Sequence, residues 1–280
     1  MNLNLSASLN VFKLITRPSL CLPHHTVSSF NDLPIPLNRA FEKEGKHVDI
    51  RVVVLDKDDC FAFPESSEVY GPYKVCHCCP RAVCFIVFGR VLTPYLKQHF
   101  EDLRSAYPGR RLLIVSNTAG ATSYDSQLKL AAEVEASTGI TVLPHRTKKP
   151  GCGPEIMDYF KAHPETGVTN PSHVAIVGDR LSTDIMMANM MGSWGFWVRD
   201  GVVPMQDKSV VSLPSSPLPS NLVIFVFLVP NFFMIHLFLP GLCHSRHDAD
   251  SSKFSRMERR LAPFLLNRGY HPDHPPSPFE

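Results

Sequence analysis

Asp56-Lys57-Asp58 sets two carboxylates one residue apart, directly after an apolar, β-branched run from Ile50 to Leu55. Carboxylates so placed can divide the work of phosphoryl transfer. One attacks phosphorus in line and becomes an acyl phosphate. The other protonates the departing oxygen and then takes a proton from the hydrolytic water. Ser116-Asn117-Thr118 follows a second run, Arg111 to Val115, and offers a hydroxyl and backbone amides to phosphoryl oxygens. The stretch His145-Arg146-Thr147-Lys148-Lys149-Pro150-Gly151 brings cations ahead of a helical pattern. A lysine there can neutralise non-bridging oxygens and damp the repulsion between Asp56 and a phosphate. Lys148 and Lys149 both qualify. Gly178-Asp179-Arg180-Leu181-Ser182-Thr183-Asp184 ends a third run, His173 to Val177. Asp179, one oxygen of Asp56 and the main-chain carbonyl of Asp58 form an oxygen set suited to magnesium. Asp184 reaches back from the helix start as a further ligand or as a group that holds one.

Each motif alone has a plainer reading. A DxD belongs to many surface loops, Ser116 and Asn117 could cap the next turn or helix, and a basic loop is often just solvated. Their common position is what sets them apart: every one sits at the end of an apolar run.

Those runs alternate with helical signals. Tyr124 to Ser137 reads as a helix after a polar start, Thr141 to Leu143 as a short strand, and Pro154 to His163 as a helix with proline in its first turn. A Met-rich helix, Thr183 to Met191, precedes a last strand from Trp194 to Val198. The pattern predicts an α/β fold, a doubly wound parallel sheet covered on both faces, with its ligand at the carboxyl ends of the strands. Met186, Met187, Met190 and Met191 read as helix core, and Cys60 as a small buried residue beside the site. Between Ser116 and Lys149 there is room for one helix and one strand, and no cap domain. An open site admits a head group anchored in a bilayer, a phosphoprotein or an exposed sugar phosphate.

Across 280 residues, 44% hydrophobic and 19% charged content suits a folded core. The balance of 28 basic against 26 acidic residues gives no electrostatic case for nucleic acid. The cysteines suggest no disulfide framework and hence a reducing compartment. Up to Asn31 the chain has no Asp or Glu but carries Lys13 and Arg17, the composition of a mitochondrial presequence or of an ordinary disordered tail. Leu5, Leu9, Val11 and Phe12 could share one helical face and rest on a membrane. The chain divides into a presequence-like, membrane-associating segment (1–45), a catalytic core (46–203), a Pro/Ser-rich then apolar segment (204–253), and a basic helix with a tail (254–280).

Two stretches break the pattern. Residues 75–97 contain no acidic residue and no clear period, and Cys76, Cys78, Cys79 and Cys84 lack the second, well-separated ligand pair of a structural zinc site. The second, roughly Val210 to Lys253, is Pro/Ser-rich and then strongly apolar; its run from Leu222 to Leu242, about 21 residues, is long enough to cross a bilayer, although Pro230, Asn231, His236 and Pro240 interrupt it. We read both stretches as translated introns. Deleting 75–97 joins GPYK to QHFEDLR in a continuous strand-to-helix connection. A rival of another class is a non-catalytic protein anchored by Leu222 to Leu242, which would have no use for two adjacent buried carboxylates.

LDKDDCFAFP, LLIVSNTAGA, HRTKKPGC, VAIVGDRLSTDIMMANMMGSWGFWVRDG and the early FNDLPIPL resemble the haloacid dehalogenase (HAD) superfamily of phosphatases, and most closely its mitochondrial phosphatidylglycerophosphatase branch. The resemblance covers most of residues 1–203 apart from the first odd stretch, and resumes near Ser255 to Tyr270. It implies Asp56 as nucleophile, Asp58 as acid/base and Ser116 with Asn117 on the phosphate. It also implies Lys149 as the charge-neutralising lysine, with Lys148 its rival, and Asp179 as a ligand to Mg2+. Cys60 stands where other members of the superfamily have Thr or Val. The reaction implied converts phosphatidylglycerophosphate to phosphatidylglycerol for cardiolipin synthesis, by peripheral association at the matrix face of the inner mitochondrial membrane. A soluble phosphatase for a phosphoprotein or sugar phosphate is the alternative.

Overall fold

The computed structural model of the chain describes residues 10, 13–45, 48–73, 85–87, 90–92, 99–202, 223–229, 232–238 and 247–275. Its strands are β1 (His25–Val27), β2 (Val52–Leu55), β3 (Phe85–Val87), β4 (Arg90–Leu92), β5 (Leu112–Ile114), β6 (Thr141–Val142), β7 (Val174–Gly178), β8 (Trp194–Val198), β9 (Val223–Val229) and β10 (Phe232–Phe238). The α-helices are α1 (Lys13–Thr16), α2 (His99–Ala106), α3 (Lys129–Thr138), α4 (Gly153–Lys161), α5 (Met186–Met191) and α6 (His247–Asn267).

One six-stranded sheet runs in the order β1-β8-β7-β2-β5-β6, with every pairing parallel. From β2 the chain moves outward through β5 and β6, then crosses back to add β7 and β8 on the other side. The carboxyl end of β2 is therefore the switch point where a crevice opens. Side chains alternate across the sheet with period two. Val53, Leu55, Leu112, Ile114, Ala175 and Val177 face one core, while Val52, Val54, Leu113, Val115, Val174 and Ile176 face the other. With both faces covered, the strands are apolar throughout, as the α/β pattern predicts.

On the first face Phe30 gathers Phe61, Tyr73 and Phe100, with ring centroids 5.4 to 6.4 Å apart. On the second, Ile156 and Phe160 of α4 and Met187 of α5 close the layer. Met186 and Met187 are fully buried, in keeping with a core role, whereas Met190 and Met191 are half-buried. Cys21, Cys60 and Cys152 are buried free thiols.

The chain before Val48 is more than a leader. Leu20, Leu22, Phe30, Leu33, Leu37 and Phe41 are buried, and β1 adds an edge strand to β8. The Asn189 side-chain amide of α5 donates to the carbonyls of Leu20 (2.9 Å) and Leu22 (3.0 Å). The sequence pattern assigned no element here. Leu5, Leu9, Val11 and Phe12 lie outside the described residues.

The helix predicted from Tyr124 begins only at Lys129. Asp125 accepts N–H bonds from Gly120, Leu130 and Ala131, so the residues ahead of α3 form a turn that this carboxylate ties together. Residues 116–149 are described throughout and hold α3, β6 and their turns, with no inserted domain. Of the first odd stretch only β3 and β4 are described, and of the second chiefly β9 and β10. Each pair is an antiparallel ladder separate from the main sheet. The four clustered cysteines and Pro230-Asn231 fall outside the described residues. Within the apolar run considered as a membrane helix, the described residues form two strands. The run's β-branched and aromatic content favours that outcome. Among the described residues no helix is long and apolar enough to cross a membrane.

Removing the centre of the aromatic cluster should show where the stability sits. Phe30→Ala should cost about 3–5 kcal/mol, while Phe63→Ala, on a 43% exposed ring, should change stability by no more than about 0.5 kcal/mol. Urea denaturation followed by circular dichroism measures both.

Candidate active site

Asp56 is the first residue past β2, and its N–H still donates to the Val177 carbonyl at 2.8 Å, so the β2–β7 ladder fixes its position. The chain then turns tightly. The N–H groups of Cys60, Phe61 and Ala62 converge on the Lys57 carbonyl, and Asp59 takes a left-handed φ of 61°. The turn carries Asp58 back over the neighbouring strand end. There its carboxylate accepts from Ser116 Oγ (3.1 Å), Thr118 Oγ1 (2.6 Å) and Lys57 Nζ. Lys57 Nζ also donates to the Ser66 carbonyl at 2.9 Å, anchoring the following loop. Behind Ser116 lies buried His145, whose ring nitrogens sit 2.9 Å from the Ser116 carbonyl and 2.8 Å from that of Thr147.

Asn117 joins this loop to the lysine loop, since its Oδ1 accepts the Lys149 N–H at 2.8 Å. Of the two lysines, Lys149 reaches the carboxylates. Its Nζ, 2% exposed, lies 2.6 Å from Asp56 Oδ1 and 2.6 Å from Asp184 Oδ1. Lys148 instead lies over the Tyr124 ring, 6.0 Å from its centroid.

Asp179 follows β7, and its carbonyl accepts from Trp197 Nε1 at 2.9 Å. A π-type turn, Leu181–Ile185, then leads into α5 and returns Asp184 to the strand end. Asp184 Oδ2 accepts from the Arg180 N–H (3.3 Å) and from Thr183 Oγ1 (3.2 Å). The carboxylate lies so close over Gly178 that a Cβ there would stand 2.3 Å from Asp184 Cγ. Glycine is required by that approach.

Asp56, Asp179 and Asp184 are all buried, and each offers an oxygen within 4.8 Å of the others. Burial, followed by the Asp184 charge, pushes Asp56 up to about 6 despite Lys149. Burial also raises Asp179 well above the carboxylate range, against the pull of Arg180. Lys149 is held protonated: burial disfavours its charge, but Asp184 and Asp56 outweigh that. Burial opposes the charge on Asp58 as well, yet Lys57 and the two hydroxyls keep this carboxyl below its ordinary value. The trio thus carries more negative charge than its lysine balances. Asp179 Oδ1 is buried with no hydrogen-bond partner. An orphaned carboxylate oxygen in an all-oxygen, anionic pocket fits a hard divalent cation.

The chain matches the family described as mitochondrial PGP phosphatase over residues 5–78 and 88–203. It belongs to that family. It is 46% identical over 200 residues to the mitochondrial phosphatidylglycerophosphatase of Saccharomyces cerevisiae, an alignment spanning 71% of this chain and 89% of that protein. With the probable mitochondrial phosphatidylglycerophosphatase of Schizosaccharomyces pombe the figures are 29% over 203 residues, 72% and 85%. The chloroplastic/mitochondrial phosphatidylglycerophosphate phosphatase 1 of Arabidopsis thaliana is 32% identical over 141 residues, half of this chain and 32% of that one. No solved structure matches. The PGP phosphatase match stops short of α6 and skips residues 79–87, inside the first odd stretch.

Structure brings Asp56, Asp58, Ser116, Asn117, Lys149, Asp179 and Asp184 into one place and sets Lys148 against Tyr124. Sequence reasoning overlooked Lys57, which grips Asp58 only because the chain turns sharply after β2. It also overlooked His145 and Trp197, which act through main-chain carbonyls and leave no motif. An extended strand would have aimed Lys57 at the opposite face.

Two outcomes follow. Lys149→Ala strands two buried carboxylates and should cost about 3–5 kcal/mol in cation-free buffer, whereas Lys148→Ala should cost under about 0.5 kcal/mol; chemical denaturation reads both. The second concerns pH. With Asp56 and Asp179 raised, the folded state holds protons that the unfolded chain, with carboxylates near about 4, has already lost. Stability in EDTA should therefore fall as pH rises from about 4 through 6. A divalent cation takes the place of those protons, so thermal melts should show a larger gain from Mg2+ at pH 7.5 than at pH 5.

Proposed function

We propose that this chain is a phosphatidylglycerophosphatase, removing the terminal phosphate of phosphatidylglycerophosphate through an aspartyl-phosphate on Asp56. The observation that carries the chemistry is Lys149 buried between Asp56 and Asp184 with Asp179 beside them. The substrate is the one after which the family and these relatives are named.

The phosphate monoester enters over the carboxyl end of β2. An Asp56 oxygen attacks phosphorus as the bond to the alcohol oxygen breaks, and the Asp58 carboxyl delivers its proton to that oxygen. Water then attacks the acyl phosphate, Asp58 takes its proton, and cleavage of the phosphorus–Asp56 bond restores the carboxylate and frees inorganic phosphate. Lys149 offsets the charge on Asp56 and on the phosphoryl oxygens throughout. Ser116, Thr118 and Lys57 now hold Asp58 in its charged form; as the hydroxyls turn toward phosphoryl oxygens, Asp58 takes up the proton of the incoming monoester monoanion, and this is the proton it delivers to the leaving oxygen. Asn117 serves by holding the Lys149 amide, and Lys148 stands at the rim as a second cation for the substrate. Asp56, Asp179, Asp184 and the Asp58 carbonyl would hold Mg2+, which when bound neutralises charge on the transferring phosphoryl group.

The site suits a head group that stays anchored in a bilayer, since no domain is inserted between Ser116 and Lys149 to cover it. Peripheral association, at the matrix face of the inner mitochondrial membrane, is the setting we propose, with relatives named mitochondrial in support. A leader ending before Pro18 would leave the buried Leu20–Leu22 stretch intact.

Assays with Mg2+ on phosphatidylglycerophosphate, phosphatidate and glycerol 3-phosphate test the reading. Phosphatidylglycerophosphate should turn over fastest, and Asp56→Asn should lower the rate at least about a thousand-fold while raising the melting temperature in EDTA. Turnover retained in Asp56→Asn excludes the aspartyl-phosphate. Preference for glycerol 3-phosphate excludes the lipid substrate.

A further inference from the structure

Glu258 lies in α6, beyond the residues matched to the PGP phosphatase family, and is only 2% exposed. Its Oε1 accepts from the Ser182 N–H at 3.0 Å and from Ser182 Oγ at 2.7 Å, across 76 residues of sequence. Ser182 sits midway along the loop from Asp179 to Asp184. The helix is seated independently of this contact. Ala262 and Leu265 pack with Leu181, Ile185, Cys21, Leu22 and Trp197, and Arg259 Nη1 lies 3.0 Å from Asp200 Oδ1.

A carboxylate is costly to bury without donors, and amides at the start of a helical turn lack intrahelical acceptors. Each answers the other here. The same loop carries one carboxylate whose oxygen has no hydrogen bond, Asp179, and another, Asp184, pressed onto Gly178. Its shape therefore decides how far apart the carboxylates stand. We infer that Glu258 is a positioning residue: by gripping Ser182 it holds the 179–184 loop so that Asp179 and Asp184 can share one divalent cation with Asp56. This rests on the reading of the trio as a cation site. Loss of the grip leaves the half-buried Ser182 amide without its acceptor, loosens the loop and weakens cation binding with no change in the ligand residues.

The test is Mn2+ binding to the full chain, read as free Mn2+ by electron paramagnetic resonance, alongside melting temperature. Glu258→Ala should weaken binding about 10- to 100-fold. Glu258→Gln, whose amide oxygen still accepts from Ser182, should stay within about threefold of wild type. Leu265→Ala, which loosens the helix but spares the contact, should lose stability and keep its affinity. Unchanged affinity in Glu258→Ala, or an equal loss in Leu265→Ala, overturns the inference. If Glu258→Ala does not fold, Ser182→Ala decides: it should weaken Mn2+ about three- to tenfold, and no change overturns the inference. A wild-type chain that binds no Mn2+ sinks the cation site itself, a result distinct from either.

Discussion

Lys149 is an ammonium sealed from water between two carboxylates, 2.6 Å from each. In a low-dielectric interior such a contact is strong, but desolvating three charges opposes it. The net contribution to stability is therefore modest, and what the arrangement secures is placement. The lysine fixes one oxygen each of Asp56 and Asp184, strand-end groups from opposite halves of the doubly wound sheet. With Asp179 alongside, the pocket holds excess negative charge that protons or a further cation must balance. An arriving phosphate needs both that cation and the lysine. The crowding of carboxylates that burdens the fold is what makes the site receptive.

The backbone around this contact is specified closely. Gly178 must lack a side chain for Asp184 to lie against it, and the turn after Asp56 must be tight for Asp58 to reach Ser116 and Thr118. Trp197 fastens the Asp179 carbonyl from the next strand over. None of these groups is suited to chemistry of its own. They convert a parallel sheet, which many unrelated activities share, into a frame that holds four carboxylates at set distances.

Much of this was visible before any coordinates. Three apolar runs ending in Asp56, Ser116 and Asp179 are long enough to read as strands, and a parallel sheet brings their tips together. Choosing between Lys148 and Lys149 was beyond sequence, because adjacent residues in a loop of unknown course have no defined direction. The edge strand His25–Val27 was hidden: three residues starting with a histidine carry no alternation, and it is the pairing with β8 that makes them a strand. The apolar run after residue 222 has the hydropathy of a membrane span, and hydropathy alone is blind to the β-branched residues that set it as two strands. Glu258 was illegible for a simpler reason. Its partner is far away in the chain, and an isolated glutamate on an amphipathic helix looks solvated.

Leu22 near the start of the chain and Leu265 near its close share one apolar cluster with Leu181 and Ile185. Whatever crosses a ribosome tunnel or a translocation pore amino end first must wait for α6 before that cluster can close. Until then the Asp179–Asp184 loop has neither its apolar cover nor an acceptor for Ser182. Contacts at such sequence separation form slowly. A chain still short of α6 would thus carry every ligand residue with the loop that holds two of them uncovered.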